Sequence, residues 1–236
     1  MALFDKKTKK KKYGSYMIVT QRHPESAAAE AYRRVKTAVE YSNVDTPVKV
    51  IQICSAMQGD GKTVVALNLA TAFAEEKKVL LVDLDLRRPK VHRAFRATNE
   101  NGIVSLASGK VSVEKAVHSV KYGLDFINAG EKPAYPASFI GSKSMQELFD
   151  YFRSVYDVII VDGPPVLAVS DAFVISKLTD GCVYVVSQSN SEKAATKEGV
   201  DALRMQGVNI LGCVYNSAKE KSKGYYKNNY YSGYSE

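Results

Sequence analysis

The feature that most constrains the fold is the loop 56–63, AMQGDGKT, which separates two segments of different character. The preceding run VKVIQICSA is short, apolar and β-branched, which predicts a buried strand, and the following ALNLATAFAEE has helical character. Five further apolar runs alternate with helical patterns: KKVLLVDLDL, GLDFINAG, DVIIVDGPP, GCVYVVSQ and NILGCVYN. This alternation predicts a three-layer α/β fold, with a mostly parallel sheet and helices on both faces.

The loop also has the residues of a phosphate-binding P-loop. Glycines allow its backbone to curl, so that successive N–H groups and the helix N-terminus point at the phosphates of a nucleotide. Lys62 supplies a positive charge for the β- and γ-phosphates, and Thr63 supplies a hydroxyl for Mg²⁺. The residues expected to contact the nucleotide are Gln58, Gly59, Asp60, Gly61, Lys62, Thr63 and Val64.

Three carboxylates follow the apolar runs that predict neighbouring strands. Asp83 and Asp85 end the run at 79–82, and Asp162 ends the run at 158–161. Ligands bind open α/β sheets at the carboxyl ends of the strands, where an acid can bind Mg²⁺ or accept the proton of an attacking hydroxyl. Asn216 ends the last run, and its amide could contact the adenine edge. The pattern therefore indicates a phosphoryl-transfer site.

Taken in order, these motifs resemble those of the bacterial tyrosine kinases. SAMQGDGKT, VLLVDLDLRRP, DVIIVDGPP and a tyrosine-rich end are similar, more narrowly, to the CpsD/CapB-type cytoplasmic kinases of capsular and exopolysaccharide synthesis. The resemblance implies a P-loop NTPase fold of the deviant Walker (MinD/ParA-like) type, with ATP and Mg²⁺ as cofactors. It implies a catalytic set of Lys62, Asp83, Asp85 and Asp162. Within this set, Asp83 would be the base for the tyrosine hydroxyl, while Asp85 and Asp162, with Thr63, would hold the metal.

The end of the chain and one early helix match further features of that family. By the resemblance, residues 25–218 form the kinase domain, and the tail 219–236, which its composition predicts to be disordered, is phosphorylated in trans within a homo-oligomeric ring. The tail tyrosines are Tyr225, Tyr226, Tyr230, Tyr231 and Tyr234. Glu30, Arg33 and Lys36 resemble the E-x-x-R-x-x-R ring segment, with Lys at the third position. A different interpretation of the tail is a stacking surface for single-stranded nucleic acid.

Charge and composition set the expectations for location and partners. The net charge is +8, and lysines crowd the segment 1–24, which we expect to be disordered. This block suits an anionic membrane surface or nucleic acid, or it is simply solvated. Three cysteines in apolar runs predict buried, reduced thiols in a cytosolic protein. The resemblance implies a membrane adaptor with an activating segment that recruits the protein to the inner face of the membrane, a cognate tyrosine phosphatase and no specific nucleic acid.

Two other functions are compatible with a P-loop. One is a ParA- or MinD-like partitioning ATPase, although such proteins carry a signature lysine early in the loop, where this chain has Met57. The other is a nucleotide-gated regulatory module without significant kinase activity. The full set of carboxylates argues against the second.

Overall fold

The computed structural model describes residues 18–43, 46–120 and 123–218. The lysine block at 6–12 and the five tail tyrosines lie outside the described residues. Among the residues that the structure covers, no helix is both long and apolar enough to cross a lipid bilayer.

Within the described ranges, seven strands form one sheet in the order β3-β4-β2-β5-β1-β6-β7. The strands are β1 (Val50–Cys54), β2 (Val79–Asp83), β3 (His118–Ser119), β4 (Leu124–Ile127), β5 (Val158–Asp162), β6 (Gly181–Ser187) and β7 (Ile210–Asn216). All neighbouring pairs are parallel except β3 with β4. The predicted mostly parallel sheet is confirmed.

Ten helices lie along the described chain. They are α1 (Val19–Arg22), α2 (Ala27–Glu40), α3 (Lys62–Ala74), α4 (Val91–Ala94), α5 (Ile103–Ala107), α6 (Val113–Ala116), α7 (Pro136–Ile140), α8 (Lys143–Val155), α9 (Asp171–Ser176) and α10 (Lys193–Met205). The sequence predicted a weak helical region near 102–118. The structure divides it into α5, α6 and the start of β3.

The core occupies both faces of the sheet. Every residue of β1, β2 and β5 is buried, which explains why these strands are apolar at almost every position; the exceptions are Gln52, Asp83 and Asp162. Phe73 of α3 packs in the cluster on one face, and Phe149 and Phe152 of α8 pack in the cluster on the other. The three-layer architecture is therefore as predicted, and it presents the carboxyl ends of the central strands at one edge.

The first described residues differ from the sequence-based expectation. Residues through 24 were predicted to be disordered, but α1 begins at Val19, and Ile18 and Thr20 are buried. Ile18 joins the core cluster of α3, and the backbone N–H of Thr20 donates to Asn68 Oδ1 at 3.3 Å. The burial of Ile18 and the hydrogen bond of Thr20 order this segment. Two residues are too few to form a periodic pattern in the sequence.

The last strand, β7, is also less buried than predicted. Cys54 and Cys182 are buried, but Cys213 is exposed, so the prediction of three buried thiols is wrong at this position. Gly212 and Tyr215 are exposed too. β7 lies at the end of the sheet, where it has a single neighbouring strand, β6.

Candidate active site

The P-loop connects β1 to α3 and takes a conformation that needs glycine at two positions. Gly59 and Gly61 have φ values of 98° and 97°, in the left-handed region. A Cβ on Gly61 would also lie 2.0 Å from Nδ2 of Asn216. Backbone freedom and close packing against β7 therefore both require glycine here, and the curled backbone leads directly into the N-terminus of α3.

Lys62 is the first residue of α3 and is largely buried. Its Nζ donates to Ser55 Oγ at 3.0 Å and to the carbonyl oxygen of Met57 at 3.3 Å. Burial lowers the pKa of Lys62, while the charges of Asp162 and Asp85 oppose that effect. The ammonium group is thus held over the loop at the point where phosphates would lie.

A cleft of about 440 Å³ opens beside the P-loop. Four cationic side chains and one carboxylate line it, and an apolar wall completes it. The cations are Lys62, Arg87, Arg88 and Lys90, the carboxylate is Asp85, and the apolar wall is formed by Pro164, Pro165, Ala168 and Val169. Gln58, Gly59, Gly61, Thr63 and Val64 also line the cleft. An excess of positive charge at a helix N-terminus suits a polyanion such as a nucleotide triphosphate.

Asp162 and Thr63 form the metal-binding part of the predicted site. Thr63 donates its hydroxyl to Asp162 Oδ2 at 2.7 Å, while Asp162 Oδ1 is buried with no hydrogen-bond partner among the described residues. Burial raises the pKa of Asp162 to about 6, although the bond from Thr63 and the charge of Lys62 counteract it. A buried carboxylate oxygen without a partner, next to a hydroxyl, fits a hard cation.

The protein supplies few metal ligands here. Within the described ranges, no three His, Cys, Asp or Glu side chains are grouped closely enough to hold a metal ion by themselves. Mg²⁺ ordinarily takes one or two protein ligands and completes its shell with phosphate oxygens and water. Thr63 and Asp162 therefore fit a Mg²⁺ ion that arrives with a nucleotide.

Asp83 lies next to Asp162 in the sheet register but is enclosed. Its Oδ1 accepts from the N–H of Asp85 at 3.2 Å, and its Oδ2 accepts from the N–H groups of Lys90 and Val91, each at 2.9 Å. Burial and the charge of Asp162 raise the pKa of Asp83 well above its ordinary value. In this conformation Asp83 organises the loop after β2, and Asp85 is the carboxylate on the cleft.

Asp60 and Asn216, both predicted to contact nucleotide, support the P-loop from behind. The carboxylate of Asp60 accepts from Met57 N at 3.0 Å, Asn190 Nδ2 at 2.9 Å and Ser191 Oγ at 2.8 Å. Asn216 Nδ2 donates to the carbonyl oxygen of Asp60 at 3.0 Å. Neither side chain lines the cleft. Asn190 and Ser191 were missed because they lie about 130 residues further along the chain.

A bidentate ion pair made by Arg87, one of the residues that line the cleft, was also missed. Arg87 donates from Nε and Nη2 to the carboxylate of Asp171, at 2.8 and 3.0 Å. Asp171 is fully buried, whereas Arg87 is 40% exposed. The pair joins the loop after β2 to α9. The neighbouring Arg88 instead donates to the side-chain oxygen of Gln58 in the P-loop.

The three predicted ring residues lie on α2. Arg33 pairs with Glu75 at 2.9 Å and with Glu30 at 3.7 Å, and Lys36 pairs with Glu76 at 2.6 Å. Arg33 and Lys36 therefore contact residues at the end of α3 in the same chain. Lys36 is largely buried, whereas the Glu30 side chain is 51% exposed.

Comparisons with known proteins converge on one group. The family described as AAA domain matches residues 48–211. The tyrosine-protein kinase YwqD of Bacillus subtilis (strain 168) is 39% identical over 225 residues, which cover 92% of this chain and 95% of YwqD. The tyrosine-protein kinase Etk of Escherichia coli (strain K12) is 32% identical over 86% of this chain, but only 28% of Etk is covered.

Solved structures agree with the sequence relatives. The kinase domain of Escherichia coli ETK has a TM-score of 0.82 at 30% identity, covering 91% of this chain and 85% of that domain. The chimerical protein CapA2B2 has a TM-score of 0.81 at 32% identity, covering 84% and 88%. MinD from Pyrococcus horikoshii, at 24% identity over 71% of this chain and 69% of MinD with a TM-score of 0.59, shares the fold.

Proposed function

The chain belongs to the bacterial tyrosine kinases, and on that premise we propose that it moves the γ-phosphoryl group of ATP to tail tyrosines of a neighbouring copy. In this transfer the bond from the γ-phosphorus to the bridging oxygen of ADP breaks, and a bond to the phenolic oxygen forms. The phenol proton passes to a carboxylate. The observation that carries the proposal is the cleft at the P-loop, where four cations and Asp85 surround space for a triphosphate.

Binding of ATP and Mg²⁺ is assigned to distinct groups. The N–H groups of the P-loop and the ammonium of Lys62 would hold the β- and γ-phosphates. Thr63 and the unpartnered Oδ1 of Asp162 would hold Mg²⁺, which neutralises the charge on the phosphates. Asp60 and Asn216 would act through the backbone of the loop, because their side chains contact it from behind.

The acceptor of the phenol proton is assigned from the contacts of Asp83 and Asp85. Asp83, predicted as the base, has both oxygens engaged by backbone N–H groups. Asp85 is half-buried and lines the cleft. We therefore assign proton acceptance to Asp85 and positioning of its loop to Asp83. For Asp83 to act as the base, it would have to release the N–H groups of Lys90 and Val91.

The family and the sequence support a proposal for the biological setting. Tail phosphorylation in a homo-oligomeric ring would be opposed by a tyrosine phosphatase, and it would regulate capsular or exopolysaccharide synthesis and export. A membrane adaptor with an activating segment would bring the protein to the inner face of the membrane, near which the lysine-rich residues 6–12 would lie. In a ring, Glu30 is the best exposed of the three residues on α2.

Intact-protein mass spectrometry after incubation with ATP and Mg²⁺ tests the proposal. The wild type should gain several phosphates on tail tyrosines, while Lys62→Met should gain none, and Lys110→Met, which removes an exposed lysine outside the cleft, should behave as wild type. ATP consumption without a mass gain, even with the adaptor segment present, would favour a partitioning-type ATPase instead.

A mixture of two variants tests transfer in trans. A chain with all five tail tyrosines changed to Phe keeps its cleft but has no tail acceptor, and Lys62→Met keeps its tail but lacks the P-loop charge. Phosphates should appear on the Lys62→Met chain only when the two are mixed. Phosphorylation of wild type at a rate independent of concentration, with none in the mixture, would show transfer within one chain.

A further inference from the structure

A groove between α10 and β7 lies apart from the cleft. We call it the α10–β7 groove and define it by three cationic and three apolar side chains that line it: Lys193, Lys197, Arg204, Val186, Val200 and Tyr215. Its volume is about 540 Å³. Tyr215 is 60% exposed, which is unusual for an aromatic residue within a strand.

The cations of the groove are exposed and form no ion pair with any residue that the structure describes. Lys193, Lys197 and Arg204 are separated by four and by seven residues, and this spacing places them on one face of α10. Within the described residues, none of them lies within ion-pair distance of an acid, although nine other ion pairs are present. Asp201 is the one acid that lines the groove, so its lining carries a charge of about +2.

The segment that follows β7 has the length to reach this groove. Tyr225 is ten residues beyond Tyr215, and ten residues can span up to about 33 Å when extended. Lys193 and Arg204 are eleven residues apart on a helix, or about 16 Å. The tail can therefore return along the whole groove of its own chain, where the tether gives it a high effective concentration.

The charge of the tail decides whether it binds there. Residues 219–236 contain four lysines and two glutamates, a net charge of +2, which the groove repels. Each phosphotyrosine adds about −1.5 to −2, so two phosphates already reverse the sign. A phosphotyrosine also brings an aromatic ring for the apolar side chains of the groove and phosphate oxygens for its lysine and arginine donors.

We infer that the α10–β7 groove captures the phosphorylated tail of its own chain, so that phosphorylation converts a repelled segment into a docked one. The inference rests on the proposed function for the source of the phosphates. A docked tail is withdrawn from the clefts of neighbouring copies, which gives phosphorylation an effect beyond electrostatic repulsion.

A binding experiment with synthetic peptides tests the groove without depending on kinase activity. The full chain with its five tail tyrosines changed to Phe is titrated into labelled peptides of residues 219–236, with and without phosphate on the five tyrosines. Saturating ADP and Mg²⁺ block the cleft, and anisotropy is measured at two salt concentrations. The phosphopeptide should bind at least tenfold more tightly than the unphosphorylated peptide, and more weakly at high salt.

Two charge-reversed pairs make the result specific. Lys193→Glu with Lys197→Glu should weaken phosphopeptide binding at least tenfold, and Lys193→Gln with Lys197→Gln should weaken it less. Lys115→Glu with Lys132→Glu changes two exposed lysines at the other end of the sheet by the same charge and should leave binding unchanged. Equal binding by all variants, equal binding of both peptides, or displacement by ADP would overturn the inference.

Docking in the same chain has its own signature. Wild-type protein phosphorylated on its tail should bind the free phosphopeptide at least tenfold more weakly than the Phe-substituted chain, at every protein concentration, because its own tail occupies the groove. Undiminished binding would refute docking in cis. Failure of autophosphorylation would be seen separately as an absent mass gain, and the synthetic-peptide result would stand by itself.

Discussion

Replacing Asp162 by Asn should stabilise the nucleotide-free protein at neutral and alkaline pH, although it removes the carboxylate that we propose to hold Mg²⁺. Burial raises the pKa of Asp162 from 3.8 to about 6. Between these two values the folded state keeps a proton that the unfolded state has lost, so the free energy of unfolding falls as pH rises. A difference of about two pH units corresponds to about 3 kcal/mol, all of it lost above the folded pKa.

Asn carries no charge and lacks this pH dependence. Its side-chain oxygen can still accept the hydroxyl of Thr63, and its neutrality also removes the charge that raises the pKa of Asp83. The new NH₂ group has to find a hydrogen-bond partner in the buried site, and we take the free-energy cost of burying it as about 1 kcal/mol. The variant should therefore gain about 2 kcal/mol over the parent near pH 8 and little near pH 4.

Urea unfolding of both proteins from about pH 4 to about pH 8, in EDTA and without nucleotide, measures this difference. Titrating groups that do not interact with Asp162 cancel because they are common to both chains, whereas Asp83 and Lys62, whose pKa values the charge of Asp162 affects, contribute to the measured difference. Asp150→Asn, which changes an exposed acid on α8, is the matched control and should show no such trend. A difference between parent and Asp162→Asn that is flat with pH, or that favours the parent at pH 8, would refute the desolvation argument.

Three further changes have outcomes set by observed contacts. Asp60→Ala removes three hydrogen bonds to a charged acceptor, so it should lower the free energy of unfolding by about 3 kcal/mol and weaken nucleotide binding. Urea unfolding and titration with ADP measure these two effects, and an unchanged affinity would contradict the supporting role of Asp60. Arg87→Met leaves the buried Asp171 without its cation and should lower the free energy of unfolding by about 3 kcal/mol. The loss should be smaller when Asp171 is also changed to Asn, and equal losses in the single and double variants would contradict this. Lys36→Met should lower the melting temperature by only a few degrees, because its ion-pair partner Glu76 is mostly exposed. The oligomeric state of the unphosphorylated protein, measured by light scattering, should stay unchanged. Loss of assembly would show that Lys36 contacts a second copy.

Local sequence predicts the sheet and the P-loop well, because each depends on residues close together in the chain. The buried runs of β1, β2 and β5 are apolar at almost every position, and their carboxyl ends had to meet at one edge. The position of the P-loop followed from one strand and one helix. The weak pattern near 102–118 gave no clear prediction, because α5 and α6 span only five and four residues.

Contacts between distant segments could not be predicted. Asn190 and Ser191 reach Asp60 across about 130 residues, and Arg87 reaches Asp171 across 84. Neither contact leaves a periodic or compositional signal. The exposure of Cys213 likewise depends on β7 lying at the end of the sheet, and strand order is not readable from one sequence.

The three carboxylates nearest the P-loop illustrate why residue type alone did not determine their roles. The net pKa of Asp60 is lowered, because hydrogen bonds from Asn190, Met57 and Ser191 outweigh the opposing effect of burial. Asp60 therefore stays ionised and holds the loop. Asp162 has one unpartnered oxygen and a raised pKa, so a cation there relieves an unfavourable charge. Asp85 is half-buried and lines the cleft. The anchor and the residues that we propose as metal ligand and proton acceptor therefore differ in solvent access and hydrogen-bond donors, which only the folded chain defines.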